Sequence, residues 1–325
     1  MVRLTFRVVL VVFPSVSILI GYMGYLLWDG YHSKGPLQVT VTVVIPEGIS
    51  VRKIAKKLKQ KGVISDEFFF LVGSKYYKLA RRMRAGEFEF QPYISMKDTA
   101  QKLAVGNTVK RRLVIPEGLL SKEIGALVSS TPGLVGKTPK NLREGNFLPD
   151  TYFFSLGDTR ESILLRMKMA MKKAVSEAWA SRSSNIAIGT PRDALILASI
   201  IEKETGLAGE RARVSAVFHN RIRLKMRLQS DPTVVYAVTS GKRILRRKLK
   251  RSDLQTPSLY NTYRRKGLPP APISNPGRAS IFAAVTPSFS KDLYFVADGE
   301  GGHVFSKTLR EHNLNVLKWR RKIRQ

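Results

Sequence analysis

The chain has no cysteine. That excludes disulfides, thiolate metal sites, a cysteine nucleophile and a lipidated N-terminal cysteine. It does not fix a compartment, because a cysteine-free protein is at home on either side of a membrane. Histidine is scarce, with four residues at 32, 219, 303 and 312. None sits in an HExxH arrangement, so neither a metal site nor a cofactor is expected. Acid is short as well: 24 Asp+Glu stand against 56 Lys+Arg, a formal net charge of +32. Yet 43% of the 325 residues are hydrophobic, which excludes a disordered polycation and leaves room for about two domains with a sizeable core.

The longest uncharged run is "VVLVVFPSVSILIGYMGYLLW", from Val8 to Trp28. It is long enough to cross a bilayer core as one helix. Arg3 and Arg7 precede it, and no small-x-small cleavage site stands before Gly30. The expectation is a cytoplasmic tail over 1–7, a retained transmembrane helix over 8–28, and the rest of the chain on the exported side. The competing reading of the run is a buried core helix.

After the polar linker "HSKGP", residues 37–113 begin with an alternating strand, "LQVTVTVVIPEG". Ser50 is placed to cap a helix carrying Val51, Ile54, Ala55 and Leu58, and Ser65 to cap a second. "GEFEF", 86–90, alternates again. The order is β-α-α-β. "VIPEG" recurs at 114–118 after its first appearance at 44–48, which reads as a shared strand-to-helix connection. Residues 114–325 form the larger region. A long helix is predicted over about 160–180, with methionines 167, 169 and 171 as core filler. Seven Lys/Arg and no acid fall within 242–251, followed by a proline-rich stretch, two short strands and a basic terminal helix.

The segment "TPRDALILASIIEKET" stands out. Thr190 caps it, Pro191 opens it and Asp193 lies in the first turn. The body is apolar nearly all round, so the helix is predicted to lie inside its domain. It ends on two glutamates in an acid-poor chain. Glu202 shares a face with Ala198 and Leu195, and apolar surroundings raise a carboxyl pKa. Glu204 points about 200° away and is expected in solvent. The local pattern also fits an ordinary glutamate in an exposed last turn, which is the commoner case.

Downstream, "RVSAVFHNRI", "MRLQSDPTVVY", "YNTYRRKGLPPAPISNPG" and "LYFVADGEGGHVFS" follow in order, and "EG-x-F-x-PDTY" runs upstream from Glu144 to Tyr152. This series resembles the YceG-like family, the endolytic murein transglycosylases, over nearly the whole chain. The resemblance implies an α+β fold: an N-terminal transmembrane helix, a small LysM-like module (37–113) and a mixed α+β catalytic domain (114–325). It implies cleavage of MurNAc–GlcNAc bonds in peptidoglycan glycan strands, giving 1,6-anhydro ends that can terminate strand growth. It implies an inner-membrane location with the catalytic domain periplasmic. Peptidoglycan, membrane lipid and cell-wall synthases such as penicillin-binding proteins are the implied partners. Glu202 matches the family's catalytic acid/base. Asn220, Gln229, Asp231, Tyr236, Asn261 and Tyr263 match its cleft. Asp231 is equally an N-cap before Pro232, Asn220 and Arg221 equally a helix end, and His303 either structural or cleft-lining.

Two other function classes fit parts of the chain. One is a non-catalytic wall-binding scaffold built on the small module. The other is a nucleic-acid binder built on the basic runs, but no nucleic-acid motif accompanies them and nucleic acid is not an expected partner.

Overall fold

The computed structural model describes residues 2–106, 108–242 and 245–323, with side chains from residue 15 onward. The chain divides into two compact units, 1–111 with 154–157, and 112–153 with 158–325. Each is a mixture of helix and short antiparallel strand.

The first unit runs α1 (Val2–His32), β1 (Val41–Ile45), α2 (Val51–Gln60), α3 (Glu67–Tyr76), β2 (Gly86–Phe90) and α4 (Met96–Val105). β1 and β2 pair antiparallel, from Val41 opposite Phe90 to Ile45 opposite Gly86. Alternation sends Val43, Ile45, Phe88 and Phe90 into one core with Ile54, Leu58 and Phe70, as a strand's two-residue period requires. Ser50 caps α2 by accepting from Lys53 N–H. The cap of α3 is Asp66 rather than Ser65: its Oδ1 accepts from Phe68 and Phe69 N–H at 2.8 and 3.1 Å. A carboxylate at that position also favours the positive helix terminus.

The N-terminal expectation requires correction. Among the described residues no helix is long and apolar enough to cross a membrane. The transmembrane helix expected at 8–28 is therefore not supported, and neither is the single-pass inner-membrane location built on it. The physical reason is visible in the described part of α1. Residues 15–32 interleave Ile18, Leu19 and Ile20 with Ser15, Ser17, Gly21, Gly24, Asp29 and Gly30, and end on His32. The last turn also belongs to the first unit's core. Tyr31 is 2% exposed, its ring stacks on Tyr77, and His32 Nε2 lies 3.0 Å from Tyr77 Oη. This approach needs Gly73, where a Cβ would come within 2.3 Å of the Tyr31 ring. The side chains of the expected tail, 1–7, and of 8–14 lie outside the described residues.

The second unit holds β3 (Arg112–Val114 of Arg111–Val114), α5 (Ser121–Ser130), β4 (Thr151–Phe154), α6 (Arg160–Ala180) and α7 (Pro191–Glu204). It continues with α8 (Arg211–Arg223), α9 (Asp231–Thr239), α10 (Arg278–Val285), β5 (Tyr294–Ala297), β6 (His303–Ser306) and α11 (Leu309–Lys322). β5 and β6 pair antiparallel, Tyr294 opposite Ser306. Both "VIPEG" copies end on a left-handed glycine, Gly48 at φ 72° and Gly118 at φ 74°. That conformation turns the chain from strand toward helix without a Cβ penalty.

α7 is the central element of this unit. A capping box starts it: Thr190 Oγ1 accepts from Asp193 N–H, and Asp193 accepts from Thr190 N–H. Leu197, Ala198, Ile200 and Ile201 are fully buried in one cluster with Val214 and Phe218 of α8 and Ile281, Ala284 and Val285 of α10. Burying each large aliphatic side chain is worth about 1.5–3 kcal/mol. On α6, Met167 and Met171 are 0% and 3% exposed while Met169 is 57% exposed. Four residues return a helix to the same face and two do not, so only two of the three methionines fill core.

Residues 273–277 lace α7 to the turn after β3. Ser199, buried inside α7, accepts from Ile273 N–H at 3.0 Å, and its carbonyl accepts from the Ser274 hydroxyl. Asn275 is fully buried. Its Oδ1 accepts from Phe147 N–H at 3.0 Å, and its Nδ2 reaches Leu119 O at 3.0 Å and Ser121 Oγ at 2.9 Å. Its backbone exchanges bonds with Gly118 N–H and Leu119 O. Replacing Asn275 by Ala would strand several buried polar groups at about 1–3 kcal/mol each. Asn275→Ala should therefore lower the unfolding free energy by roughly 3 kcal/mol or more, read from denaturant melts. Asn141→Ala, at an exposed position, should stay within about 0.5 kcal/mol of wild type.

Candidate active site

The C-terminal turn of α7 delivers its two glutamates to different surroundings; both are half-buried, so Glu204 is not the solvent-exposed residue that helical periodicity suggested. Glu204, expected in solvent, lines a cavity of about 420 Å³ with Arg221, Gln229, Asp231, Tyr263 and Tyr294. The Ser230 hydroxyl donates to Glu204 Oε1. Burial pushes the Glu204 carboxyl up to about 7; Asp231 adds to the rise, while the Ser230 hydrogen bond, His303 and Arg221 oppose it. A carboxyl with that pKa is divided between acid and base near neutral pH.

Glu202 lies elsewhere. It is half-buried, and its Oε2 accepts from Gly277 N–H at 2.9 Å. Gly277 precedes α10, so this carboxylate faces the positive end of a helix. Glu117 is its neighbour. Burial raises the Glu117 carboxyl, the charge of Glu202 raises it further, and Arg211 opposes both. Gly277 is required by close approach, since a Cβ there would meet Glu117 Oε1 at 1.7 Å. The physical reason that Glu204 is not in solvent is tertiary. The 200° separation on α7 holds, but the side facing α9 and the β5–β6 region is the more enclosed one.

Two non-helical devices shape the Glu204 cavity. Gln229 has φ +50°, a left-handed conformation that costs a non-glycine residue on the order of 1 kcal/mol or more. It is held by Gln229 N–H donating to Thr262 O and Ser230 N–H donating to Thr262 Oγ1. The turn aims Ser230 at Glu204 and starts α9 at Asp231. Tyr263 then donates to Asp231 Oδ1 at 2.7 Å. Arg221 is 7% exposed, and its guanidinium donates to Leu293 O and Leu228 O, with its charge acting on Glu204.

Of the six cleft residues implied by sequence, the structure brings Gln229, Asp231 and Tyr263 to Glu204. Asn261 is buried behind them. Its amide donates to Leu254 O and Thr256 O and accepts from Tyr263 N–H, so it holds the loop that presents Tyr263. Tyr236 faces a different and larger cavity, 4.7 Å from the Tyr260 ring centroid. Asn220 does not line the Glu204 cavity: its amide donates to Ser290 O and Asp292 O, fixing the loop before β5. His303 is bound to Glu210, Nδ1 to Oε2 at 2.7 Å. Sequence reasoning missed Ser230 and Arg221. The motif "QSDPT" contained the first, but nothing in the spacing of α8 marked Arg221 as inward. Among the described residues no cluster of His, Asp or Glu could hold a metal ion. Within the basic stretch 242–251, Arg247 makes a forked ion pair with Asp253, so part of that charge is structural; residues 243 and 244 lie outside the described residues.

The raised carboxyl carries a stability consequence with a definite sign. The folded value of Glu204, about 7, lies above its ordinary 4.5. Its favourable contribution is full below about pH 4.5 and is lost as pH rises through about 7. Glu204→Gln removes this titration. The variant's stability relative to wild type should rise between pH 4.5 and 8 by on the order of 2 kcal/mol, since one pKa unit is about 1.4 kcal/mol and a partly exposed group earns less than the full shift. Melting temperatures of both proteins across that range check it; a constant difference would mean Glu204 is ionised throughout.

Comparison with known proteins places this geometry in a lineage. The family model described as the YceG-like family matches residues 43–318. A Bacillus subtilis (strain 168) protein named endolytic murein transglycosylase is 32% identical over 308 residues, covering 85% of this chain and 84% of that protein. A protein of the same name from Streptococcus pneumoniae serotype 2 is 29% identical over 321 residues; the match covers 85% of this chain but only 58% of that longer protein. The crystal structure of a YceG-like protein from Listeria monocytogenes is 33% identical, covers 85% of this chain and 99% of its own, and superposes with a TM-score of 0.50. With a family model matching most of its length and a relative above 30% identity, this chain belongs to the YceG-like family.

Proposed function

We propose that the chain is a lytic transglycosylase acting on peptidoglycan glycan strands, with Glu204 as its acid and base. The names of the relatives support the reaction class. The observation that carries the residue is the enclosed Glu204 carboxyl, raised to about 7 beside Ser230 and Arg221. Protonated Glu204 gives its proton to the glycosidic oxygen as the MurNAc C1–O bond breaks. The C6 hydroxyl of the same MurNAc attacks C1, and the Glu204 carboxylate takes the hydroxyl proton. The product is a 1,6-anhydro end, the acid is regenerated and no water is consumed. Two-carboxylate glycosidases need a second group to activate water or attack C1; here the substrate supplies its own nucleophile. Asp231 orients Tyr263 at the cavity wall. The reading takes residues 37–113, with their β-α-α-β order, as a LysM-like module that holds glycan, and 114–325 as the catalytic domain.

Glu202 is the second candidate, favoured by its match to the family's "EKET" element and by its carboxyl neighbour Glu117. Mass spectrometry of products from purified glycan strands separates the two. Glu204→Gln should lower turnover by roughly 10²-fold or more, the usual scale of general acid–base catalysis, and leave strand binding in place. Glu202→Gln should keep most turnover. The reverse result would move the acid to Glu202. The wild-type rate should fall as pH rises through about 7, where Glu204 loses its proton. Products ending in hydrated reducing sugars rather than anhydro ends would overturn the lytic reading.

A further inference from the structure

A cavity of about 1000 Å³ in the second unit does not include Glu204 in its lining. Its floor includes the Tyr236–Tyr260 pair, with ring centroids 4.7 Å apart, together with Leu195 and Pro272. Its rim carries Lys122, Lys140, Arg143, Arg192 and Lys242. Among the described residues the only acid lining it is Glu144, and that carboxylate is already engaged by Ser121 N–H at 2.8 Å and by Asn275 Nδ2. The cavity around Glu204 has the opposite balance, with Glu204 and Asp231 against Arg221.

Both cavities are bordered by α9. Asp231, at the start of that helix, lines the Glu204 cavity and also an intermediate groove with Leu120, Val235 and Tyr236. Tyr236 lines that groove and the large cavity. From Asp231 to Tyr236 the helix advances roughly 7–8 Å at 1.5 Å per residue. α9 therefore carries, within that length, lining residues of an acid-bearing cavity, an intermediate groove and a cation-rimmed cavity with an aromatic floor. A chain lying along it meets acidic groups at one end and uncompensated positive charge at the other. Glycan strands of peptidoglycan are themselves uncharged along the sugar backbone, but they carry short peptides with free carboxylates.

We infer that the cavity rimmed by Lys122, Lys140, Arg143, Arg192 and Lys242 is a subsite for the acidic peptide branch of a glycan strand bound along α9. The inference rests on the strand-cleaving reading for its substrate, and it goes beyond that reading in giving the peptide a site of its own. Lys140 and Arg143 are exposed and carry the charge that faces the ligand. Tyr236 and Tyr260 supply the apolar floor under the peptide.

Direct binding tests this without relying on cleavage. The probe is the free stem peptide released from peptidoglycan by an amidase, titrated into the full chain by calorimetry at low salt. Lys140→Gln/Arg143→Gln should weaken binding about five- to tenfold, the scale of two exposed charge contacts. Lys168→Gln/Lys172→Gln removes the same charge from exposed positions on α6 and should leave the affinity unchanged. Equal weakening by both pairs would mean that overall charge alone attracts the peptide, and would overturn the subsite. Binding of inorganic polyphosphate that the rim variant loses, with no peptide binding by wild type, would overturn it as well.

A kinetic arm uses strands with and without their peptides. The rim variant should raise KM severalfold on peptide-bearing strands, leave KM on stripped strands unchanged, and leave kcat unchanged on both. An equal KM rise on both substrates would refute the peptide assignment. Absence of any cleavage by wild type would count against the lytic reading alone, because the calorimetric arm still reports on the subsite. Melting temperatures of the two charge variants should match wild type, since neither pair touches the core.

Discussion

The second unit depends on the lacing of residues 273–277 between the end of α7 and the turn after β3. Ser199, buried in the middle of a helix, uses its hydroxyl and carbonyl to hold Ile273 and Ser274. Asn275 spends its whole amide on Leu119, Ser121, Glu144 and Phe147. Gly277 reaches Glu202. A buried polar network is stabilising only when each member is satisfied, and this one is, so the last turn of α7 is held from two sides. The angular relation of Glu202 and Glu204 is thereby converted into two fixed and different environments.

Those environments explain how two identical side chains two residues apart acquire different chemistry. Glu202 accepts a backbone N–H at the start of α10 and has Glu117 as its neighbour. Glu204 accepts one hydroxyl in an enclosed cavity, with a second carboxylate nearby, an arrangement that favours the neutral acid. Arg221 and His303 limit that rise, so the group is poised near neutrality instead of being locked in one form. Strain at Gln229 contributes to the same end: the left-handed turn positions Ser230 and starts α9 with Asp231 beside the acid. Sparsely populated backbone conformations persist where the surroundings over-determine them, and the Thr262 hydrogen bonds do so here.

The large surplus of positive charge has no single role. Some of it is structural, as in the Arg247–Asp253 fork and the Arg111–Glu87 pair. Some is arranged around a cavity, and its location relative to the acid-bearing cavity is a property of α9, which borders both. Net charge governs long-range attraction, but only the distribution distinguishes one part of a bound chain from another.

Much of the local structure was legible in the sequence. Helix caps at Ser50 and Thr190, the alternation of 41–45 and 86–90, the burial of α7 and the helix opened by Asp231–Pro232 all follow from short-range physics, because caps and periodicities involve residues within a turn or two of each other. Ordered motifs carried the family. The apolar run near the N-terminus misled, because an uncharged stretch looks the same whether its final turns meet lipid or pack Tyr31 and His32 onto Tyr77. The site was half legible. Gln229, Asp231 and Tyr263 line one cavity with Glu204, whereas Tyr236 and Asn220 face other surroundings. Which glutamate is enclosed was beyond the sequence. Helical periodicity states that Glu202 and Glu204 point apart. Which direction is dry depends on elements 25 to 100 residues away, Ser230, Tyr263 and His303 among them, and only their packing against α7 decides it.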